Sequence, residues 1–260
     1  MSSVDAQAHR GLRSPRNGGI HVVAHRGAHR GIPENTLAAY RRAIELGCDW
    51  IEVDVRTTRD GQLVSIHDAT IDRYVTDGST GRVESMTLEE LRRLDIGSRI
   101  DPKWREERIP TLREIFEMCA GKIGVYLDVK QASIEAIDEL VREFRLQRDA
   151  LWYVADSRVE RLSEIDPETW PMPDPGPEKN LAGLLERREV AVVASSWKHF
   201  SPRFAESCHF NHAQVIVDDE GPATWETLVV WGADGIQTDY PEELIAWLQQ
   251  RSVAVRQLSD

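Results

Sequence analysis

A (β/α)8 TIM barrel with a small inserted cap after the second strand is the fold class that the 260 residues predict. Three observations predict it. Strand-like and helix-like segments alternate from residue 20 to the last turn-rich region, the signature of a parallel sheet covered by helices. Eight such units fill about 240 residues, the size of a single closed barrel. No Gly-rich phosphate loop follows the first strand, which weighs against a doubly wound nucleotide-binding sheet.

The elements follow in order. "IHVVA" (20–24) is β-branched and reads as the first strand. "TLAAYRRAIELG" places Leu37, Tyr40 and Ile44 at helical spacing, with Asn35 or Thr36 available as N-cap and Gly47 as the stop. "DWIEVDVRTT" alternates as a strand, and Asp60-Gly61 then turns the chain into "LVSIHD", a hairpin. From 69 to 108 the rhythm breaks into a polar segment with one short helix at "TLEELRRL", where Thr87 and Glu90 form a capping box. This is the inserted cap. The alternation resumes with helix "TLREIFEMCA", strand "GVYLDVK", helix "SIEAIDELVREFR" and strand "LWYVA". A helix near 158–165 precedes "TWPMPDPGPE", where prolines 171, 173, 175 and 177 confine any strand to its first residues and make the rest a rim loop. "NLAGLLERR", "VAVVAS", a helix near 202–208, "QVIVDD", "TWETLVVWG", "GIQTD" and "PEELIAWLQQR" complete the series. The domain reading is a disordered tail over 1–18, the barrel over 19–250 and a C-terminal tail over 251–260.

A net charge of −12 argues against nucleic acid as the main partner, because phosphate backbones need a basic footprint. It leaves room for a small phosphorylated substrate met by a few cationic side chains or a metal. Cys48, Cys119 and Cys208 form no C-x-x-C pair and read as buried free thiols of a reducing compartment. With neither an apolar leader nor an 18-residue apolar run in the sequence, the expectation is a soluble, cytoplasmic protein without stable membrane insertion. Oligomeric state is left open.

In such barrels chemistry sits where the strands end. His25 ends the first strand; Glu52 and Asp54, two apart, share a face of the second; His67 and Asp68 end the hairpin strand. Asp128 and Lys130 share a face of "VYLDVK", and Asp239 ends "GIQTD". Two inward carboxylates are costly to bury unless paired. Either a hard cation held by Glu52, Asp54 and Asp128, or a salt-bridge cluster with Arg56, Lys130 or Arg26, would satisfy them. His25 and His67 could move protons onto and off the oxygens of a phosphodiester near neutral pH. The motif His-Arg-Gly occurs at 9, 25 and 29, but only His25 directly follows an apolar strand. His29 reads as rim-loop filler whose removal leaves activity intact.

These residues resemble the glycerophosphodiester phosphodiesterase family over about 20–247. The match runs through His25-Arg26-Gly27, Pro33-Glu34-Asn35-Thr36, Gly47 to Val55, Thr58-Arg59-Asp60-Gly61, His67-Asp68, "TLEELRRLDIG", "IPTLREIF", "DVK" and "WGADGIQTDYPEEL". The resemblance implies a metal-dependent phosphoric diester hydrolase that releases an alcohol and sn-glycerol 3-phosphate. In it His25 and His67 are the general acid–base pair, and Glu52, Asp54 and Asp128 hold one divalent cation, Mg²⁺ or Ca²⁺. Arg26 and Lys130 contact the phosphate, and Glu34 and Asn35 support the site. Two departures stand out. Asp128 replaces the more common Glu, and Val215 stands where many members carry a Trp that lines the cleft. A lysophospholipase D-like activity, with a cap whose Ile71, Tyr74, Val75 and Met86 touch an acyl chain, and a non-catalytic phosphate-ligand binder are the competing readings. Direct attack by water and a cyclic phosphate both fit the residues.

Overall fold

The computed structural model describes residues 12–257. Eight parallel strands form a nearly closed barrel: β1 (His21–Ala24), β2 (Trp50–Thr57), β4 (Gly124–Gln131), β5 (Ala150–Tyr153), β6 (Trp170–Met172), β7 (Val192–Ser196), β8 (Gln214–Asp218) and β9 (Gly235–Thr238). The extra strand β3 (Leu63–Ser65) pairs antiparallel with the end of β2, as the Asp60-Gly61 turn predicts. Between them run α1 (Leu37–Leu46), α2 (Leu88–Arg92), α3 (Leu112–Cys119), α4 (Ile134–Glu143), α5 (Asp156–Ile165), α6 (Leu181–Arg187), α7 (Pro202–Phe210) and α8 (Trp225–Val230), with α9 (Pro241–Gln257) last.

Side-chain alternation along each strand sorts the core into two layers. Ile51, Val53, Val125, Leu127, Val193 and Val215 face the helices. Val23, Trp50, Tyr126, Leu151, Met172 and Ile216 fill the barrel interior. Trp50 occupies the floor because residue 124 opposite is glycine; a Cβ there would lie 2.2 Å from the indole ring. Above this apolar floor the same inward faces turn polar, with Glu52, Asp54 and Asp128.

Pairing of β1 with β9 closes the first strand against the last, Ala24 opposite Thr238. Among the described residues no ladder joins β6 to β7. Pro171 and Pro173 have no N–H to offer along this edge, and a single bond from Ala194 N–H to the Pro173 carbonyl (3.0 Å) spans the seam.

Residues 69–108 pack around a core of their own. Ile71, Tyr74, Val83, Leu91 and Ile96 are buried with Val64 and Ile66 of the hairpin, and Met86 packs on them. Thr87 and Glu90 cap α2 reciprocally, as the sequence pattern predicts.

Both tails differ from expectation. From Leu12 the chain lies against the barrel base: Leu12 packs on the interior cluster. Arg16 donates from its backbone to Asp49 (2.8 Å) and from its guanidinium to the carbonyls of Cys48 and Lys122. The polarity that reads as disorder supplies donors for open carbonyls at the lower rim. Residues 1–11, including the first His-Arg-Gly, lie outside the described residues. At the other end α9 continues to Gln257, so 251–257 is helix, and 258–260 lie outside the described residues. Cys48, Cys119 and Cys208 are free and buried. No helix among the described residues is long and apolar enough to cross a membrane.

Candidate active site

The loop after β1 begins with an unusual backbone. Arg26 has φ 54° and Gly27 φ 82°, so two successive residues lie in the left-handed region. A non-Gly residue held there costs about 1–3 kcal/mol and persists only when its surroundings hold it. Here the Arg26 amide donates to Glu52 Oε2 at 2.7 Å, aimed there by that turn. Gly27 is required twice over, since a Cβ would also sit 2.8 Å from Ala39 of α1.

Glu52, Asp54 and Asp128 come together as the alternation predicts. Asp54 and Asp128 are direct partners in the β2–β4 register. One oxygen of each of the three carboxylates falls within 4.8 Å of the others. Burial, and next the charge of Asp54, push the Glu52 carboxyl well above the usual carboxylate range. Burial likewise raises Asp128, against the pull of Lys130. Cations do line the cluster: Lys130 Nζ donates to Asp128 Oδ2 (2.6 Å) and lies 3.4 Å from Asp54 Oδ1, and Arg26 Nε is 3.5 Å from Asp54 Oδ2. The salt-bridge option is therefore realised in part by Lys130 and Arg26. Arg56 is not in it; its guanidinium donates to the His67 carbonyl. Among the described residues Glu52 forms no ion pair with a Lys or Arg side chain, and its Oε2 accepts from the Arg26 amide instead. An all-oxygen, mostly carboxylate donor set with surplus negative charge fits a hard divalent cation.

Both histidines lie at this mouth, and each is held by a carboxylate. His25 Nδ1 is 2.7 Å from Asp239 Oδ1, and His67 Nδ1 is 2.7 Å from Asp68 Oδ1. An ionised carboxylate only accepts, so in each ring Nδ1 carries the hydrogen and Nε2 remains for chemistry. Burial opposes charge on His25, but the bond to Asp239 and the field of Glu52 outweigh it and raise its pKa to about 9. Burial would raise Asp239, but His25 holds it below its usual value.

The supporting residues divide their work. Thr36, not Asn35, caps α1, accepting from the Ala39 amide. Asn35 is buried with φ 55°, and its amide donates to Asp54 Oδ2 at 2.8 Å while its carbonyl oxygen accepts from Tyr40 and Ser65. Asn35 thus fixes a carboxylate of the cluster. Glu34 accepts from Arg26 (3.1 Å) and from Arg73 of the cap (2.6 Å). Arg73 also donates to Asp68 at 2.6 Å, so the cap reaches the carboxylate that holds His67.

A cleft of about 290 Å³ is lined by His25, His67, Asp128 and Lys130, and also by Tyr126, Tyr153, Asp174, Ser196, Asp218 and Gln237. The second group was not among the expected site residues. Tyr126 shares the inward face of Asp128, a signal the alternation contained; Asp174 comes from the Pro-rich rim loop and accepts from Tyr153 OH at 3.1 Å. Val215 faces the helices, and Ile216 beside it faces the cleft. Position 215 therefore does not line the cleft, contrary to the expectation for a Trp-bearing position.

Two carboxylate-held imidazoles thus face one polar cleft beside cations and a carboxylate cluster at the mouth of a TIM barrel. The family model of the glycerophosphoryl diester phosphodiesterase family matches residues 25–169. The glycerophosphodiester phosphodiesterase of Caldanaerobacter subterraneus is 34% identical over 249 residues, covering 86% of this chain and 96% of that one. A probable glycerophosphodiester phosphodiesterase 1 of Mycobacterium tuberculosis is 51% identical over 175 residues, 67% of this chain and 52% of that one. The crystal structure of glycerophosphodiester phosphodiesterase from Agrobacterium tumefaciens superposes with a TM-score of 0.74 at 28% identity, covering 87% of this chain and 99% of that one. The chain belongs to the glycerophosphoryl diester phosphodiesterase family and is a phosphoric diester hydrolase.

Proposed function

We propose that the protein hydrolyses glycerophosphodiesters to an alcohol and sn-glycerol 3-phosphate by paired-histidine acid–base catalysis, with one divalent cation, Mg²⁺ or Ca²⁺, as cofactor. The observation that carries this reading is the matched pair of carboxylate-held imidazoles flanking one cleft. Glu52, Asp54 and Asp128 would hold the cation, which when bound supplies positive charge to the phosphate oxygens. Arg26 and Lys130 contribute further positive charge at the same place and orient the phosphate. His25, protonated at neutral pH by its raised pKa, is suited to give a proton to the leaving oxygen from Nε2. His67, its Nδ1–H bound by Asp68, offers Nε2 as the base that takes a proton from the attacking water. Glu34 and Asn35 keep Arg26 and Asp54 in place. The cleft walls are largely polar, and the apolar side chains of the cap, Ile71 and Tyr74, are buried in the cap's own core. That arrangement suits a deacylated diester.

The test is release of choline and sn-glycerol 3-phosphate from glycerophosphocholine, followed by phosphorus NMR, with and without chelator. Turnover that disappears in chelator and returns with Mg²⁺ or Ca²⁺ is expected. Full turnover in chelator would overturn the metal assignment, and absence of turnover on every glycerophosphodiester would overturn the substrate assignment.

A further inference from the structure

The second His-Arg-Gly copy does not hang loose at the rim. It ties three loops together. His29 Nδ1 lies 2.9 Å from the His25 carbonyl and 3.2 Å from that of Gly27. Carbonyls only accept, so Nδ1 bears the hydrogen and anchors the ring to the turn that carries His25. The opposite edge of the ring then faces the end of the last strand: Nε2 is 3.6 Å from Asp239 Oδ1, the same oxygen that binds His25. The two rings meet edge to face at 6.4 Å. Arg30 stacks on Tyr240, 4.3 Å from the ring centroid, with its Nε 3.7 Å from Glu243. The carbonyl of Gly31 accepts from Trp104 Nε1 of the cap at 2.7 Å.

Asp239 needs this help. Its side chain is 49% exposed, whereas that of His29 is 20% exposed. Among the described residues its carboxylate has ion-pair partners only in the two histidines. A half-exposed aspartate held by one hydrogen bond can rotate into water. The imidazolium form of His29 confines it: with Nδ1–H bonded to the main chain of His25, the second ring proton on Nε2 is what pairs with the Asp239 carboxylate.

We propose that His29 is a positioning residue that keeps Asp239 on Nδ1 of His25. The inference rests on the proposed catalytic role of His25 and extends it: one carboxylate serves two imidazoles, of which one faces substrate and the other sets the geometry.

The experiment compares His29→Ala, His29→Asn and His29→Gln. Gln places an amide near the former Nε2 and can still reach Asp239; Asn keeps only the short donor toward the His25 carbonyl. With glycerophosphocholine and saturating Mg²⁺, His29→Ala and His29→Asn lose kcat by about 10-fold, the scale of a lost orienting contact. KM stays within about twofold, because the phosphate contacts are untouched, and His29→Gln recovers most of kcat. In the unreacted protein, the hydrogen-bonded Nδ1–H proton of His25 is seen by nitrogen-edited NMR in the wild type and in His29→Gln. It is lost to exchange in His29→Ala. Adding His29→Ala to Asp239→Ala costs nothing further, since both act through one contact. An unchanged kcat in His29→Ala, an intact His25 Nδ1–H signal, or an independent loss in the double variant would each overturn the proposal. If the wild type fails to turn over any glycerophosphodiester, the substrate reading fails, and the NMR signal still decides the positioning role.

Discussion

His25 and His67 present the same nitrogen to the same cleft, yet they are supported from opposite directions. His25 is held by Asp239, 214 positions away, through the pairing of the first strand with the last. His67 is held by Asp68, its immediate neighbour, and that carboxylate is gripped in turn by Arg73 of the cap. One imidazole therefore depends on barrel closure and the other on the seating of an insertion. The strands that close the barrel are buried, but the carboxylate they position is 49% exposed, whereas in the cap contacts Arg73 is 37%, Asp68 32% and Glu34 12% exposed. Such partly exposed pairs are worth little stability individually. Their value here is orientation: Arg73 links Glu34, which steadies Arg26, to Asp68, which steadies His67.

The largest expected effect erases both sides of the contrast equally. His25→Ala and His67→Ala should each lower kcat by about 100-fold or more, the scale of general acid–base catalysis, in steady-state assays of glycerophosphocholine hydrolysis. A variant that retains wild-type turnover removes that residue from the pair. Next, Asp128→Asn should weaken the apparent affinity for the activating cation by about 10–100-fold, read as the metal concentration giving half-maximal rate. It leaves Asn35 on Asp54 and both histidines in place, so the effect separates the metal site from the acid–base pair. The contrast itself is tested by the orienting carboxylates. Asp239→Asn should cost about 10–100-fold and be insensitive to changes in the cap. Arg73→Ala should cost about threefold to 10-fold, and less than that in the Asp68→Asn background, where only its bond to Glu34 is left to lose. If Arg73→Ala instead costs as much in that background as alone, the cap acts on the site by another route.

The smallest effect is on stability. The pKa of His25 is raised to about 9 from 6.5, so the His25–Asp239 pair stabilises the folded protein fully below pH 6.5 and loses that contribution as pH rises through about 9. Asp239, held below its ordinary value of 3.8, gives its contribution in full above 3.8 and loses it as pH falls further, through its lowered folded value. Thermal melts in chelator should therefore show Asp239→Asn less stable than wild type at pH 6 and nearly equal to it at pH 10. An equal deficit at both values would show that the pair does not carry the charge assigned to it.

Much of this was legible from the chain alone, for reasons that differ by residue. Glu52, Asp54, Asp128 and Lys130 could be placed on inward faces because a strand has a period of two and the alternate positions are Val, Ile and Leu. His25 and His67 could be found because each ends an apolar run. Thr87 with Glu90 spelled out its own capping box. Asn35 could not be resolved, because Asn before a helix serves as a cap as readily as a hydrogen-bond donor to a carboxylate; only the neighbouring Thr36 taking the cap released it for Asp54. The ordered stretch from Leu12 was missed because polar residues that bond to main-chain carbonyls have no periodicity. The contacts of His29 leave no local signal for the same reason: its partners are two carbonyls and an aspartate from the far end of the chain.

The sequence by itself determined the order of the elements, the inward polar faces above an apolar floor, and the two histidines that end strands. All of these follow from local periodicity. The tertiary structure alone decided that Asp239 serves His25, that Asp54 lies beside Asp128, that the cap's Arg73 reaches Asp68, and that the second His-Arg-Gly binds the loops around the first. These are contacts between residues distant in the chain. They arise when strand register closes the barrel, and register is a property of paired strands that no single segment contains.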